Sequence, residues 1–381
     1  MSGRTSGALK RVVVVGNGIS GLTAAHTLRE AGFDGELTVV GDEVHPAYSR
    51  PALSKALLLD GDSPHLLPPP THGARELLGA RATGLDTGRR LITLDDGTAL
   101  PYDGAVLATG SRARRLSDLP DEVTVRALDD ALALRRRLAQ RPSVLVVGGG
   151  PLGMEMASAC LAAGCRVTLV SRGKPLTGRL GPHLAHVLTA AARERGLTVI
   201  ETGRVRVEGR AGDARIALGD GTVLRAEVLL TAVGDVPNTE WLTRTGLVVD
   251  GAVPVGTRCL ARPGVAAAGD LAAFPTSRGL RRVPLWSSAI DQAKAAARAL
   301  VHGDGTPPLS FQPYFWTEQF GHTLKAVGHL PAAGEPVYAA GKPGGGPALM
   351  TWRRDDGSTT AVALDHRIPI PRLRRMTRTP A

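Results

Sequence analysis

Two segments of the sequence have glycines at a spacing that suits phosphate binding. One is Gly16-Asn-Gly-Ile-Ser-Gly21 and the other is Gly148-Gly-Gly-Pro-Leu-Gly153. The glycines of such a segment allow a tight turn, let the backbone approach a pyrophosphate and let the next helix pack closely on a strand. The free N–H groups at the start of that helix then face the phosphates. One such segment alone is weak evidence, but two in the same context predict two dinucleotide-binding sites. The predicted contacts are Gly16, Gly18, Ser20 and Gly21 in the first loop and Gly148, Gly150, Leu152 and Gly153 in the second.

A predicted strand follows each glycine segment along the chain. The residues at the end of that strand indicate which nucleotide the site binds. Asp42 and Glu43 stand there in the first unit, where a carboxylate can accept hydrogen bonds from ribose hydroxyls. Glu43 is favoured, although either residue could instead serve the turn. The second unit has Ser171, Arg172 and Lys174 and no carboxylate, which favours the 2′-phosphate of NADPH over NADH. The alternative is that these three are solvated loop residues.

The elements around the two loops repeat each other. A run of β-branched residues precedes each loop, a helix-forming stretch follows it, and a second apolar run comes next, so each half is a βαβ unit. Each half also contains an Asp-Gly turn typical of a hairpin, within 91–98 and 215–222. Two similar dinucleotide-binding halves make FAD plus a nicotinamide nucleotide the natural inference.

The segment Tyr48-Ser-Arg-Pro-Ala-Leu-Ser-Lys55 carries a more specific signal. It resembles the Y-[SD]-R-P-P-L-S-K segment of the NAD(P)H-dependent ferredoxin reductases, which are FAD enzymes that supply oxygenases and P450s. These enzymes share a two-dinucleotide-domain architecture with glutathione reductase. The resemblance runs from about Lys10 to the last thirty residues. It continues through Ala108-Thr-Gly110, 148–155, Gly234-Asp-Val-Pro-Asn238, Ala268-Gly-Asp270, 286–292 and Pro313-Tyr-Phe-Trp-Thr-Glu-Gln319.

The resemblance implies roles for individual residues. Arg50 and Lys55 would contact the flavin, with Lys55 near N5, where a cation stabilises the negative charge of the reduced ring. Glu155 would face Lys55 and help to place the nicotinamide. Asp270 would bind the ribityl chain and Trp316 would pack near the flavin. The alternatives are a surface lysine, a glutamate at a helix start and an ordinary core tryptophan. The resemblance also assigns Ala108, Thr109, Gly110, Gly234, Gly269 and Trp286 to cofactor binding.

The sequence departs from the family pattern at a few positions. Ala52 replaces the second proline of the first motif, and Pro284 stands where the family commonly has a glutamate. The family's W-S-D-Q reads Trp316-Thr-Glu-Gln319, and the C-terminal part is compact. These differences bear on the electron acceptor more than on the flavin site.

Three cysteines, at positions 160, 165 and 259, decide between branches of this superfamily. A disulfide reductase needs a redox pair just after the first Rossmann helix or later as C-x-x-C, and residues 1–140 contain no cysteine. We therefore expect buried thiols rather than thiol–disulfide exchange. No His/Cys/Asp cluster has zinc spacing, so no metal is expected.

Composition narrows the partners. In 381 residues, 46 Lys and Arg against 35 Asp and Glu give a formal charge of +11. Aromatic residues make up only 3%, which argues against a stacking platform for single-stranded nucleic acid. The basic clusters are scattered, so the charge favours an acidic ferredoxin over nucleic acid. No apolar stretch is long enough for a membrane helix, and a cytoplasmic protein is expected.

The sequence thus predicts an α/β protein with two Rossmann-like domains, glutathione-reductase-like, plus a small α+β C-terminal domain. The expected domains are 8–118 and 245–308 for FAD, 119–244 for NAD(P)H and 309–381 for the C-terminal domain. The expected activity is NAD(P)H:ferredoxin reduction serving an oxygenase or P450, in a monomer or homodimer. Two alternatives are an FAD/NADPH enzyme acting directly on a small organic substrate or O₂, and a redox-signalling or nucleic-acid-binding flavoprotein.

Overall fold

The computed structural model describes residues 9–59, 66–344 and 346–378. The strands are, in chain order, β1 (Arg11–Val15), β2 (Glu36–Gly41), β3 (Arg75–Leu78), β4 (Ala82–Asp86), β5 (Leu91–Leu94), β6 (Ala99–Pro101), β7 (Gly104–Leu107), β8 (Ser111–Ala113), β9 (Glu122–Val123), β10 (Ser143–Val147), β11 (Arg166–Ser171), β12 (Thr198–Glu201), β13 (Val205–Glu208), β14 (Arg215–Leu218), β15 (Val223–Leu224), β16 (Val228–Thr231), β17 (Asp235–Pro237), β18 (Val253–Pro254), β19 (Leu260–Arg262), β20 (Val265–Ala267), β21 (Ala272–Thr276), β22 (Gly279–Arg282), β23 (Tyr314–Gln319), β24 (His322–Val327), β25 (Val337–Ala340), β26 (Ala348–Arg353) and β27 (Thr359–Leu364). The α-helices are α1 (Ile19–Glu30), α2 (Ala56–Leu59), α3 (Leu128–Leu138), α4 (Pro151–Ala162), α5 (Thr177–Leu180), α6 (Pro182–Glu194), α7 (Trp286–His302) and α8 (Ile370–Arg375), and 3₁₀ helices span Arg50–Ser54, Glu240–Leu242 and Gly303–Gly305.

The described chain divides into two units, and the first comprises residues 9–49, 66–112 and 236–311. Its main sheet has the strand order β19-β20-β7-β1-β2-β3, in which β20, β7, β1, β2 and β3 run parallel. The central strand β1 consists of Arg11 and four valines, and all four valines are buried. A continuous apolar run of this kind suits a strand covered on both faces. Helices α1 and α7 pack against each other, α1 against β1 and α7 against β7 and β20.

Two three-stranded sheets complete the first unit, β4-β5-β6 and β18-β21-β22. The hairpin predicted within 91–98 is present, because β5 and β6 pair antiparallel across the turn Asp95–Thr98. Gly97 has a φ of +85°, a conformation that glycine adopts without steric cost.

The second unit comprises residues 50–59, 113–235, 312–344 and 346–378. Its parallel sheet has the order β12-β11-β10-β16-β9. Helix α4 packs on β10 and β11, as the predicted βαβ unit requires. The hairpin predicted within 215–222 is also present, between β14 and β15.

An antiparallel sheet of order β23-β24-β27-β26-β25 forms the C-terminal part of the second unit. Helix α8 packs on β24 and β27 through the buried Leu373. Strand β23 lies against α4, so this sheet supports the helix that carries Glu155.

The predicted α/β architecture with two parallel sheets is confirmed. The division into 8–118, 119–244, 245–308 and 309–381 stays a prediction, and its residues 8, 60–65, 345 and 379–381 lie outside the described chain. In the part of the chain that the structure describes, no helix has the length and apolar character needed to cross a bilayer.

Candidate nucleotide-binding and redox sites

The first glycine loop joins β1 to α1 with no room for side chains. A β-carbon on Gly16 would lie 2.1 Å from the carbonyl oxygen of Ala108, and one on Gly21 would lie 1.7 Å from the carbonyl oxygen of Gly16. Helix α1 begins after Gly18, and its first turn has no acidic residue and no side-chain cap. The backbone N–H groups of that turn are therefore open to an anion, and the helix dipole favours one.

Ser20 in this loop has a buried hydroxyl that finds no hydrogen-bond partner among the described residues. It lies beside Gly269, where a β-carbon would come within 3.3 Å of the Ser20 Oγ. The backbone N–H of Gly269 donates to the buried Gln292 Oε1 at 2.9 Å, which fixes this close approach. A buried hydroxyl without a partner costs about 1–3 kcal/mol, so this one suits a ligand oxygen. The loop therefore fits a dinucleotide pyrophosphate.

The two acidic residues after β2 have different surroundings. Glu43 is half-buried and accepts a hydrogen bond of 2.6 Å from the Tyr48 hydroxyl. Asp42 is exposed and pairs with Arg81 Nε at 3.0 Å, with the two side chains 60% and 66% exposed. Asp42 thus forms a surface ion pair, whereas the Tyr48 hydroxyl fixes the position of the Glu43 carboxylate. This arrangement favours Glu43 for a ribose, and that role stays a prediction.

The segment 108–110 follows β7, and hydrogen bonds to Asn238 hold it in place. Asn238 donates twice, from its Nδ2 to the Thr109 carbonyl at 3.0 Å and from its backbone N–H to the Gly110 carbonyl at 3.0 Å. In return, the Thr109 hydroxyl donates to the Asn238 carbonyl at 2.8 Å. Asp270 accepts a hydrogen bond of 3.3 Å from the Ser111 hydroxyl. Within the first unit, the structure therefore brings Asp270 next to the predicted segment 108–110. Trp286 is half-buried at the start of α7.

The second glycine loop joins β10 to α4 by the same geometry. A β-carbon on Gly148 would lie 2.3 Å from the Ala232 carbonyl oxygen, and one on Gly153 would lie 1.8 Å from the Gly148 carbonyl oxygen. Gly150 is the N-cap of α4, and a β-carbon there would meet open space. Pro151 occupies the first turn, where no N–H partner is needed. Leu152 is 40% exposed, which leaves an apolar side chain on the open side of the loop.

Other predicted residues of the second unit surround this loop or follow its strands. Gly234 comes after β16 with a φ of +107°, and a β-carbon there would meet open space. Ser171 is buried at the end of β11, and a β-carbon on Gly149 would lie 2.0 Å from the Ser171 Oγ. Arg172 and Lys174 are exposed, and neither side chain has an ion pair within the described chain. The structure therefore packs Ser171 against the loop and leaves two cations free nearby.

Lys55 and Glu155 form an ion pair in the second unit. The Lys55 Nζ lies 2.8 Å from the Glu155 Oε2, and the two side chains are only 14% and 7% exposed. The ammonium also donates to the Pro51 carbonyl at 3.2 Å. The Arg50 Nη1 donates to the Arg126 carbonyl at 2.8 Å. A pair buried to this degree is expensive to form unless other hydrogen bonds support it.

Three supporting residues were missed in the sequence analysis. The Ser54 hydroxyl donates to the Glu155 Oε2 at 2.6 Å. The Thr317 hydroxyl donates to the Glu155 Oε1, also at 2.6 Å. The Gln319 Nε2 in turn donates to the Thr317 Oγ1 at 2.9 Å. Both Thr317 and Gln319 stand in a motif that the resemblance covers. The available signal was the alternation of β23, which places these two polar residues on one face.

Trp316 lies on the other face of β23. Its ring stacks on that of Tyr314, with centroids 5.7 Å apart and planes at 17°. Tyr314 belongs to the buried cluster that includes Leu373 of α8, and the half-buried Trp316 packs against that cluster. Trp316 is therefore packed on one side and partly exposed, and its position near the flavin stays a prediction.

All three cysteines are free and buried. Burial raises the pKa of Cys160 and of Cys259 to about 12, and it raises the pKa of Cys165 as well. These thiols therefore remain protonated near neutral pH, and a protonated thiol is a poor nucleophile for disulfide exchange. Among the described residues, no group of three or more His, Cys, Asp or Glu is placed to hold a metal ion.

Comparison with known proteins agrees with this geometry. The sequence profile of the family described as pyridine nucleotide-disulphide oxidoreductase matches residues 10–293. The chain belongs to this family. Both glycine loops and their parallel sheets lie within the matched residues.

Ferredoxin–NAD(+) reductase components of dioxygenase systems are similar to this chain over most of its length. The ferredoxin–NAD(+) reductase subunit of the benzene 1,2-dioxygenase system of Pseudomonas putida is 34% identical over 368 residues, which are 93% of this chain and 89% of that protein. The corresponding component of the biphenyl dioxygenase system of Paraburkholderia xenovorans (strain LB400) is 32% identical over 367 residues, which are 93% and 90% of the two chains.

Solved structures of a ferredoxin reductase and of a putidaredoxin reductase share the fold. The ferredoxin reductase for the CYP199A2 system from Rhodopseudomonas palustris superposes with a TM-score of 0.86 at 27% identity, covering 93% of this chain and 91% of that one. The covalent putidaredoxin reductase–putidaredoxin complex gives a TM-score of 0.86 at 26% identity, covering 97% and 93%.

Proposed function

We propose that this protein is an FAD-dependent oxidoreductase that takes hydride from NAD(P)H and passes single electrons to a ferredoxin serving an oxygenase or P450. One observation carries the proposal. Two complete dinucleotide-binding units occur in a chain that aligns over 93% of its length with a dioxygenase ferredoxin reductase.

The first unit would hold FAD. Gly16, Gly18 and Gly21 would give the pyrophosphate access to the N-terminus of α1, where Ser20 offers its unpartnered hydroxyl. Glu43 would accept hydrogen bonds from the ribose, and Asp270 from the ribityl chain. When bound, FAD supplies the chemistry of accepting a hydride and releasing its two electrons one at a time.

Lys55 and Glu155 would act on the transfer of hydride. A fixed ammonium stabilises negative charge that develops near it, and the buried carboxylate holds that ammonium in one place. The two groups lie 2.8 Å apart and their side chains are only slightly exposed, which supports a fixed geometry for the pair. We therefore assign Lys55 to charge stabilisation and Glu155 to positioning the nicotinamide.

The second unit would hold the nicotinamide nucleotide, with a preference for NADPH. The end of β11 offers the exposed cations Arg172 and Lys174 and no carboxylate to repel a 2′-phosphate. The relatives named above are described as NAD(+) reductases, so this preference would distinguish the chain from them.

The coenzyme proposal is tested by kcat/KM for NADPH and NADH in wild type, Arg172→Ala and Lys174→Ala. Arg172→Ala should lower kcat/KM for NADPH about tenfold, as for a lost charge-assisted hydrogen bond, and leave that for NADH nearly unchanged. Arg206→Ala is the matched control, because Arg206 is an 80% exposed arginine of the same unit on β13. An Arg172 variant that keeps the wild-type ratio would exclude Arg172 as the reader of the 2′-phosphate.

The acceptor is tested by reduction of cytochrome c with and without a ferredoxin. Most of the rate should require ferredoxin. Ferredoxin-independent turnover of similar speed would overturn the assignment and favour direct action on a small organic substrate or O₂.

The dependence on salt tests the electrostatic part of the proposal. Because the net charge is +11, an acidic ferredoxin should bind less well as the ionic strength rises. A KM for ferredoxin that does not change with ionic strength would remove the electrostatic argument.

A cytoplasmic location and a monomeric or homodimeric state belong to this proposal as predictions. Size-exclusion chromatography with light scattering distinguishes the two oligomeric states.

A further inference from the structure

The carboxylate of Glu155 is held from two sides within the second unit. On one side, the Ser54 hydroxyl and the Lys55 ammonium both donate to the Oε2 atom, at 2.6 and 2.8 Å. On the other side, the Thr317 hydroxyl donates to the Oε1 atom at 2.6 Å. Among the described residues, Thr317 is the only one that holds Oε1.

The two sides come from distant parts of the chain. Ser54 and Lys55 follow one another along the Tyr48–Lys55 motif, whereas Thr317 lies on β23, 162 residues after Glu155. Strand alternation puts Thr317 and Gln319 on the face of β23 opposite to that of Trp316 and Glu318. Both Thr317 and Gln319 are buried, at 0% and 3% exposure. The contact is therefore a feature of the packed interior and not of a mobile surface.

Gln319 determines the direction of the Thr317 hydrogen bond. The Gln319 Nε2 donates to the Thr317 Oγ1 at 2.9 Å, so the hydroxyl receives one hydrogen bond from behind. A hydroxyl has a single proton to give, and an ionised carboxylate can only accept. The Thr317 proton is thus directed at the Glu155 Oε1, and the three groups form an ordered chain in which Gln319 donates to Thr317 and Thr317 to Glu155.

This series of hydrogen bonds fixes the orientation of the Glu155 carboxylate. The final torsion of a glutamate side chain is broad, so hydrogen bonds to one oxygen alone do not fix the plane of the carboxylate. A bond to each oxygen does. Since the Lys55 ammonium is held by the Glu155 Oε2 at 2.8 Å and by the Pro51 carbonyl at 3.2 Å, rotation of the carboxylate would remove the shorter of these two contacts.

We propose that Thr317, backed by Gln319, is a positioning residue that locks the carboxylate plane of Glu155 and thereby the Lys55 ammonium. This inference rests on the proposed function, since it concerns the pair assigned to hydride transfer. Neither residue is expected to touch the coenzyme. Loss of the Thr317–Glu155 hydrogen bond should slow hydride transfer more than it weakens coenzyme binding. Misplacement of groups at the reacting atoms acts mainly on the rate of the chemical step.

The test is stopped-flow reduction of the flavin-loaded full chain by NADPH and by NADH. Thr317→Val removes the hydroxyl and keeps the shape of the side chain. It should lower the limiting rate of flavin reduction ~10-fold to ~100-fold, while the coenzyme dissociation constant changes less than ~3-fold. Thr317→Ser keeps the hydroxyl and should stay within ~3-fold of wild type. Thr189→Val is the matched control, because the Thr189 hydroxyl is buried in the same unit without a hydrogen-bond partner among the described residues.

A double-mutant cycle separates this role from a general effect on packing. In a Glu155→Ala background, Thr317→Val should cause no further loss of rate, because the carboxylate that it positions is absent. An equal loss in both backgrounds would overturn the inference. A Thr317→Val protein that reduces as fast as Thr189→Val would overturn it as well, and the proposed function would stand.

Two further outcomes are distinguishable. A wild-type flavoprotein that neither NADPH nor NADH reduces would refute the proposed function itself. If Thr317→Val does not retain flavin, Gln319→Met provides the second variant, since it removes the donor behind Thr317 and leaves the hydroxyl. Gln319→Met should slow reduction about 3-fold to 10-fold in the presence of Glu155 and not at all in the Glu155→Ala background. A rate unchanged by Gln319→Met would contradict the ordered chain.

Discussion

The Tyr48 hydroxyl donates a hydrogen bond of 2.6 Å to the Glu43 carboxylate, five residues back along the chain. Tyr48 is buried, so the bond fixes a half-buried Glu43 in one orientation. The first residue of the Tyr48–Lys55 motif therefore positions the acidic residue predicted to bind a ribose. No role for Tyr48 followed from the motif alone.

This contact predicts the effects of three substitutions on FAD affinity. Glu43→Ala should weaken FAD binding to the apoprotein about tenfold, as for a lost charge-assisted hydrogen bond. Tyr48→Phe should weaken it by a smaller factor, because the carboxylate remains but is no longer oriented. Asp42→Ala is the control and should have no effect, since Asp42 pairs with Arg81 at the surface. Fluorescence titration of FAD gives the three dissociation constants, and a larger loss in Asp42→Ala than in Glu43→Ala would reverse the assignment.

The two glycines Gly150 and Gly153 of one loop should respond differently to alanine. A β-carbon on Gly153 would lie 1.8 Å from the Gly148 carbonyl oxygen, so Gly153→Ala should destabilise the fold by about 3 kcal/mol or more. A β-carbon on Gly150 meets open space, and its φ of −77° and ψ of 176° suit alanine. Gly150→Ala should keep the melting temperature and raise the dissociation constant for NAD(P)H about tenfold, because the methyl group faces the phosphates. Thermal melts and calorimetric titration measure the two effects. Loss of stability in Gly150→Ala would contradict the view that its role is to admit a ligand.

The buried carboxylate of Glu122 stabilises the second unit through four hydrogen bonds. It accepts from the Leu116 N–H, from the Ser117 N–H and hydroxyl, and from the Thr231 hydroxyl, at 2.6–2.7 Å. Burial opposes ionisation, but these bonds hold the pKa of Glu122 below its ordinary value of 4.5. Glu122→Gln should lower the free energy of unfolding by about 2–3 kcal/mol at pH 7, because the amide group cannot accept all four bonds.

The sign of the pH effect follows from the lowered pKa of Glu122. Its stabilisation is complete above pH 4.5, the ordinary glutamate value, and is lost as the pH falls through the lower pKa of the folded state. Urea denaturation of wild type and Glu122→Gln should therefore converge in acid. Glu208→Gln on β13 is the control, and a constant difference at all pH values would show that the carboxylate charge is not the cause.

His72 in the first unit should make the fold sensitive to mild acid. Burial, together with smaller contributions from neighbouring His26 and Arg29, lowers the pKa of His72 from 6.5 to about 4. Glu76 lies on the other side of the ring, 3.5 Å from Nε2. Between pH 6.5 and 4 the unfolded chain binds a proton that the folded chain does not, so stability falls as the pH falls.

The variant His72→Asn removes this titration and keeps an acceptor for the Ala74 N–H, which now donates to Nδ1 at 3.1 Å. The wild type should lose about 1 kcal/mol more than the variant between pH 7 and pH 5, allowing for solvent screening. Melting temperatures at the two pH values measure the difference. Equal losses in both proteins would assign the acid sensitivity to other groups.

Local features of the site were predictable from the sequence, and its long-range contacts were not. The glycine loops and the β-branched runs around them depend on neighbours within a few residues, which is why both nucleotide-binding units and both hairpins were predicted. The resemblance pointed to the pairing of Lys55 with Glu155, which the structure shows at 2.8 Å. The partners of Glu155 on its other side could not be predicted, because Thr317 follows it by 162 residues and its orientation depends on how β23 packs on α4.

The contact between Ser171 and Gly149 limits how the coenzyme preference of this protein can change during evolution. The Ser171 hydroxyl already occupies the place where a β-carbon on Gly149 would stand, so a larger acidic side chain at 171 would push against the loop backbone. Arg172 and Lys174 are exposed and carry no packing role. Substitutions at positions 172 and 174 should therefore change the coenzyme preference without disturbing the loop, whereas a change at 171 would also require a new loop.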